Sequence, residues 1–262
     1  MAFRELSRPW HARGHSNPRG GILLCHGFTG TPQSLRPWAE DLAGHGWEVE
    51  LPLLPGHARS WQDLEATDER DWYGHVQQAA RRLSDRRGPI GIGGLSMGGA
   101  LTLRLAEDPA LEGRIAAIVA VNPGMTLPPA ARFAGLVAPV VRTIPGIGSD
   151  VAMAGAREEA YDRTPLRSVA RLRRLFAATR RDLDAVRVPL LLVTSPQDHT
   201  VPATDSDIVA AGVSGPVERL AAPHSYHLVP LDHDAPALLA RSREFFDQHV
   251  PRHGADGQQE GT

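Results

Sequence analysis

Ile90-Gly91-Ile92-Gly93-Gly94-Leu95-Ser96-Met97-Gly98-Gly99-Ala100 is the stretch that decides the fold. A short apolar run passes through glycines to a serine, and helical patterning takes over across 97–107. Gly94-Leu95-Ser96-Met97-Gly98 fits G-x-S-x-G, and it does so in the strand–turn–helix context that gives the motif its meaning. So tight a turn leaves no room for a Cβ on either side of the serine, hence glycine at 94 and 98. Ser96 is then presented at the carboxyl edge of a sheet. The N-terminus of the next helix points at any oxyanion formed there. A plain glycine turn is the competing reading, and it needs neither the strand nor the helix.

Working outward, strands are predicted at 21–25, 47–51, 115–121, 188–194 and 216–220. Helices are predicted at 32–45, 70–85, 203–211 and 234–249. The run 115–121 is nearly all apolar, as a parallel strand covered on both faces requires. The alternation predicts an α/β chain with a mostly parallel, doubly wound sheet. Between 124 and 186 it stops, with no strand pattern. An apolar stretch dotted with Pro and Gly (127–147) precedes an arginine-rich helical stretch (166–181). We expect an inserted cap over the site; two ordinary crossover helices are the alternative. The expected organisation is a core of 1–123 and 187–250, a cap of 124–186 and a disordered polar tail over 251–262.

His26-Gly27-Phe28-Thr29-Gly30 follows the first clear strand. In sheets with such an elbow, one oxyanion donor is the N–H after the nucleophile, here Met97. The other comes from the loop after this strand, here Phe28. His26 reads as a structural loop residue, and Phe28 is placed to line a pocket as well.

Serine–histidine catalysis needs a third group to hold the imidazole tautomer and offset its charge. The usual chain order is nucleophile, acid, base. Asp198 lies in the loop after the 188–194 strand, where the acid belongs. Asp205 and Asp207 fall in the following helix and are expected to face solvent. Asn122 occupies the end of the preceding strand, the other place an acid could sit. For the base, His224, His227 and His233 are candidates, and His227 lies in the loop best placed to reach back over Ser96. The cluster of His224, His227, Asp232, His233 and Asp234 matches no metal-binding spacing, and no metal is expected.

Composition limits the alternatives. The chain has 262 residues, 42% apolar and 22% charged, within the range of one globular domain. A net charge of −2 gives no electrostatic case for nucleic-acid binding. One cysteine, Cys25, excludes an intrachain disulfide and suits a reducing cytoplasm. The start lacks the apolar core of a signal peptide, and no stretch reaches the ~18 apolar residues of a membrane span. Stable membrane insertion is therefore not expected.

With these residues in view, the chain resembles the bacterial monoacylglycerol lipases and their carboxylesterase relatives, which have the α/β-hydrolase fold. The likeness rests on His26-Gly27-Phe28-Thr29-Gly30-Thr31-Pro32, Leu35-Arg36-Pro37 and Gly94-Leu95-Ser96-Met97-Gly98-Gly99. It continues through Gly148-Ser149-Asp150, Ala160-Tyr161-Asp162-Arg163-Thr164-Pro165, Asp198-His199-Thr200-Val201-Pro202 and Ser225-Tyr226-His227. The resemblance implies a Ser96–Asp198–His227 triad, oxyanion donors at Phe28 and Met97, and no cofactor. It further implies that Glu158 binds glycerol hydroxyls, where the plain reading is a solvated helix charge. Two departures stand out: His57-Ala58 where relatives often have His-Gly, and the extra charge of Arg180-Arg181.

The implied substrate is a monoacylglycerol or another fatty acyl ester. A broad carboxylesterase shares every catalytic residue, and a non-catalytic ligand receptor would need no intact triad. Epoxide hydrolases and haloalkane dehalogenases use an aspartate nucleophile, which Ser96 argues against.

Overall fold

The computed structural model describes residues 5–13, 18–146 and 148–252. Seven strands form the central sheet: β1 (Trp10–Ala12), β2 (Gly21–Cys25), β3 (Glu48–Leu51), β4 (Ile90–Leu95), β5 (Ile115–Val121), β8 (Leu190–Thr194) and β9 (Val217–Ala221). Their spatial order is β1-β3-β2-β4-β5-β8-β9. All neighbours are parallel except β1, which runs antiparallel along β3.

Strand periodicity explains the layering. Side chains of a strand alternate between faces, and consecutive residues here enter two different cores. Leu23, Ile92, Ile118, Ala120, Leu190 and Leu192 pack on one face. Ile22, Leu24, Val119, Val121, Leu191 and Val193 pack on the other. The first core is closed by α3 (Glu69–Arg87), α4 (Met97–Ala106) and α6 (Leu166–Arg181), through Trp72, Leu101 and Phe176 among others. The second is closed by α1 (Arg36–Gly44) and α8 (Ala235–His249), through Trp38 and Phe246. α7 (Thr204–Gly212) joins β8 to β9.

From β2 the chain moves outward to β3, then returns to the far side of β2 as β4. The crevice between β2 and β4 is thus a topological switch point, where open α/β sheets bind ligands beyond their carboxyl ends. The loop at His26 and the elbow at Ser96 both open there.

The segment between β5 and β8 differs from the strand-free pattern expected. Two short strands, β6 (Thr143–Pro145) and β7 (Arg163–Pro165), pair antiparallel within it. Before them comes the short helix α5 (Ala134–Val137), and after them α6. α6 buries Leu172, Leu175 and Phe176 in the first core, so the segment's second half packs on the sheet domain. The sequence reading also passed over β1 and α2 (Trp61–Ala66). The tail expected over 251–262 lies, from 253 on, outside the described residues, as do residues 1–4 and Ile147.

Candidate active site

Ser96 stands between β4 and α4 with φ 58° and ψ −118°, a strained backbone for a residue with a side chain. The flanking contacts show why glycine is needed. A Cβ on Gly94 would run into the backbone of Gly98, and one on Gly98 into the carbonyl of Cys25. The turn is held by the Ser96 N–H donating to Val121 O at 3.0 Å. The Ser96 carbonyl accepts from Ala100 N–H at 3.1 Å and from Gly124 N–H at 3.3 Å.

The β2 loop lies directly against the elbow: an added Cβ on Gly27 would sit 3.5 Å from Ser96 Cβ. His26 is fully buried and sets the direction of this loop. Its Nε2 accepts from Leu54 N–H at 3.1 Å, so Nδ1 carries the proton and donates to Gly27 O at 2.9 Å. A trans peptide is planar, with C=O and N–H pointing opposite ways. Pinning the Gly27 carbonyl therefore fixes the direction of the Phe28 N–H. Burial, with His57 nearby, drives the His26 pKa well below its usual range, so the ring stays neutral. The Met97 N–H, at the first turn of α4, has no partner within the helix.

Asp198 and His227 meet as the sequence reading requires. His227 Nδ1 lies 2.6 Å from Asp198 Oδ2, and both side chains are buried, with exposures of 8% and 1%. Asp198 Oδ1 accepts from the N–H groups of Thr200 (2.7 Å) and Val201 (2.8 Å), which fixes the carboxylate. A carboxylate only accepts, so His227 Nδ1 is the donor and Nε2 keeps its lone pair. That is the tautomer a general base needs. His224 and His233 are exposed and lie apart from the cavity that Ser96 and His227 share.

That cavity has a volume of about 520 Å³ and an apolar wall. Leu127, Ala131, Phe133, Val137, Val169 and Phe176 line it, with Phe28 beside Ser96. It falls within the 300–1,000 Å³ typical of small-molecule sites. Arg180 and Arg181 do not line it; they sit at the C-terminal end of α6, with Arg181 pairing with Asp182.

Glu158 does line it, and it lies outside any helix. Its backbone N–H donates to Ser149 Oγ at 2.9 Å. Its carboxyl group presses on Gly30, where an added Cβ would strike Oε1. Burial pushes the Glu158 carboxyl up to about 7, while the charge His227 can carry and the Ser34 hydroxyl pull it down.

One expectation is corrected. Asp205 does not face solvent: it is fully buried, and its carboxylate accepts from Met125 N–H (2.7 Å), Thr126 N–H (2.8 Å) and Thr126 Oγ1 (2.7 Å). It staples the chain leaving β5 to α7, a long-range contact that helix periodicity does not reveal. Asp207 is exposed, as expected, and pairs with Arg219.

Sequence reasoning assigned no positioning role to Asn122 or Asp150. The Asn122 amide joins His227 O (2.9 Å) to Ser195 N–H (2.8 Å). Asp150, quoted above only as part of a motif, reaches the backbone of His227 and His199. Elsewhere among the described residues, His11, Glu48 and Glu50 bring metal-ligating atoms within 4.8 Å of one another. Both Glu48 oxygens are taken by arginine, from Arg86 Nη2 (2.9 Å) and Arg87 Nε (2.5 Å), so this is an ion-pair network.

Comparison with known proteins agrees with this geometry. The model of the alpha/beta hydrolase family matches residues 22–241. A thermostable monoacylglycerol lipase from Bacillus sp. (strain H-257) is 40% identical over 88% of this chain and 91% of its own. A carboxylesterase from Bacillus subtilis (strain 168) is 23% identical over 87% of this chain and 92% of its own. A solved structure described with LipS and LipT, two metagenome-derived lipolytic enzymes, superposes with a TM-score of 0.89 at 33% identity, covering 94% and 99% of the two chains. On these matches the chain belongs to the alpha/beta hydrolase family, in the group that holds the bacterial monoacylglycerol lipases and carboxylesterases.

Proposed function

We propose that this chain hydrolyses monoacylglycerols to glycerol and a fatty acid through an acyl-enzyme on Ser96. The observation that carries the reading is one cavity with three properties. It opens on Ser96 and His227, it is apolar over most of its wall, and its lining includes the Glu158 carboxyl group, besides an Asp150 carboxylate that is taken up by the His199 and His227 N–H groups. The apolar wall takes the acyl chain, and Glu158 takes the hydroxyls of the leaving glycerol.

In the proposed reaction His227 Nε2 removes the proton from Ser96 Oγ as Oγ attacks the ester carbonyl carbon. The oxyanion forms on the N–H groups of Phe28 and Met97, worth roughly 3–4 kcal/mol each by analogy with side-chain donors. The intermediate collapses, the C–O bond to glycerol breaks, and His227 returns the proton to the glycerol oxygen. Water attacks the acyl-enzyme with the same histidine as base, and Ser96 is regenerated. Asp198 stays ionised and holds the imidazole throughout.

Residues 124–186 act as the cap in this reading. Leu127, Ala131, Phe133 and Val137 cover the acyl side of the cavity, while α6 supports them from the sheet domain. Within the same segment Leu136, Val140 and Val141 are exposed, a surface suited to brief contact with aggregated lipid. Among the described residues no helix is long and apolar enough to cross a membrane. We place the reaction in the cytoplasm, where a free thiol such as Cys25 stays reduced.

Initial rates on 1-lauroylglycerol and methyl laurate, with Ser96→Ala as blank, test the substrate. A kcat/KM at least about 10-fold higher for the glycerol ester, worth ~1.4 kcal/mol of differential recognition, supports it. Equal values make this a broad carboxylesterase.

A further inference from the structure

Buried backbone N–H and C=O groups need partners, and residue 227 lies in neither helix nor strand. Two side chains supply its partners. The His227 N–H donates to Asp150 Oδ2 at 3.2 Å, and the His227 carbonyl accepts from Asn122 Nδ2 at 2.9 Å. Those same side chains grip the loop that carries Asp198. Asn122 Oδ1 accepts from Ser195 N–H at 2.8 Å. Asp150 Oδ2 accepts from His199 N–H at 3.0 Å, and Asp150 Oδ1 pairs with His199 Nδ1 at 2.8 Å. The acid loop and the base loop are therefore bridged twice.

The two bridges start from different parts of the molecule. Asn122 comes from the end of β5, inside the sheet domain. Asp150 comes from the covering segment, and its own carbonyl accepts from Leu228 N–H at 3.2 Å. Two residues on, the same segment is tied down again. Asp232 is fully buried and accepts from Ala152 N–H (2.7 Å), Met153 N–H (2.9 Å) and Tyr226 N–H (2.9 Å).

We propose that Asp150 is a positioning residue: it couples the seating of the covering segment to the alignment of His227 with Asp198. The proposal rests on the reading of these two as base and acid. The Asp150 carboxylate makes no hydrogen bond to either of their side chains. It acts through the peptide N–H groups of residues 227 and 199. A base displaced by about 1 Å costs on the order of 100-fold in rate. A covering segment that seats differently would therefore change the reactivity of Ser96 without altering the triad.

The test uses the full chain and p-nitrophenyl butyrate, a soluble ester short enough to need little of the acyl wall. We expect Asp150→Ala to lower kcat about 100-fold with KM within about threefold, the pattern of a lost transition-state interaction. Asp150→Asn should recover most of kcat, since its amide oxygen can still accept both backbone N–H groups. The low-field proton resonance of His227 Nδ1–H should disappear in the alanine variant and persist in the asparagine variant. Asp150→Ser shortens the side chain with less disruption and is expected to show the same kcat loss if the alanine variant does not fold. Wild-type kcat and an intact resonance in Asp150→Ala or Asp150→Ser overturn the proposal, as does equal loss in Asp150→Asn. His227→Ala separates the two readings. If it keeps wild-type activity, the assignment of the base fails. If it is inactive while Asp150→Ala is fully active, only the coupling fails.

Discussion

Glu158 puts a carboxyl group on the lining of a mostly apolar cavity. Its pKa is raised from 4.5 to about 7 by burial. Between those values the folded chain holds a proton that the unfolded chain has released. The unfolded state then binds fewer protons, and the Glu158 contribution to stability falls as pH rises through that window. Glu158→Gln removes this term. We expect the variant to gain melting temperature over wild type as pH goes from 5 to 8, measured by thermal denaturation at each pH. On activity the same change should lower kcat/KM for 1-lauroylglycerol about 10-fold, one or two hydrogen bonds at ~1 kcal/mol each, and leave methyl laurate nearly unchanged. Ser96, Asp198 and His227 could be picked out as candidates from the sequence because each follows a strand that patterning identifies, and the fold brings His227 against Asp198 and onto the cavity that Ser96 lines. Asp205 was misread for the opposite reason: its partners at Met125 and Thr126 lie far away in the chain, and nothing local marks it as buried.

At the scale of elements, the elbow depends on how closely α4 approaches the end of β2. Gly98→Ala places a Cβ against the Cys25 carbonyl, between two backbones that cannot yield. We expect ~1–3 kcal/mol of destabilisation from overpacking and a loss of activity larger than the fall in melting temperature explains, because Ser96 is two residues away. Ala58 presents the reverse case. Its φ of 53° is left-handed, the conformation glycine adopts without strain. Ala58→Gly should stabilise the chain by up to about 1 kcal/mol, read from urea denaturation. The long strands and helices were legible from their periodicity. β1, α2, β6 and β7, at three to six residues each, are too short to show one. Their positions are set by what they pair with, which sequence patterning does not record.

At the scale of the whole molecule, the crossing from β3 back to β4 puts the loop after β2 and the turn at Ser96 side by side. The segment after β5 then covers them. Its outer surface exposes Leu136 at 79% and Val140 at 87%, while its inner side lines the cavity. An apolar stretch over 127–147 is plain in the sequence, but composition alone does not divide its inner from its outer residues. Leu136→Glu with Val140→Glu should slow hydrolysis of aggregated long-chain monoacylglycerol severalfold and spare p-nitrophenyl butyrate. Equal effects on both would assign the two residues to folding. The central claim, that Ser96 is a working nucleophile activated by His227, is tested most directly with a fluorophosphonate probe and intact-mass analysis. One equivalent of label is expected on the peptide carrying Ser96, none on Ser96→Ala, and labelling slowed by orders of magnitude in His227→Ala. An unlabelled wild-type chain, or label on another residue, would contradict it.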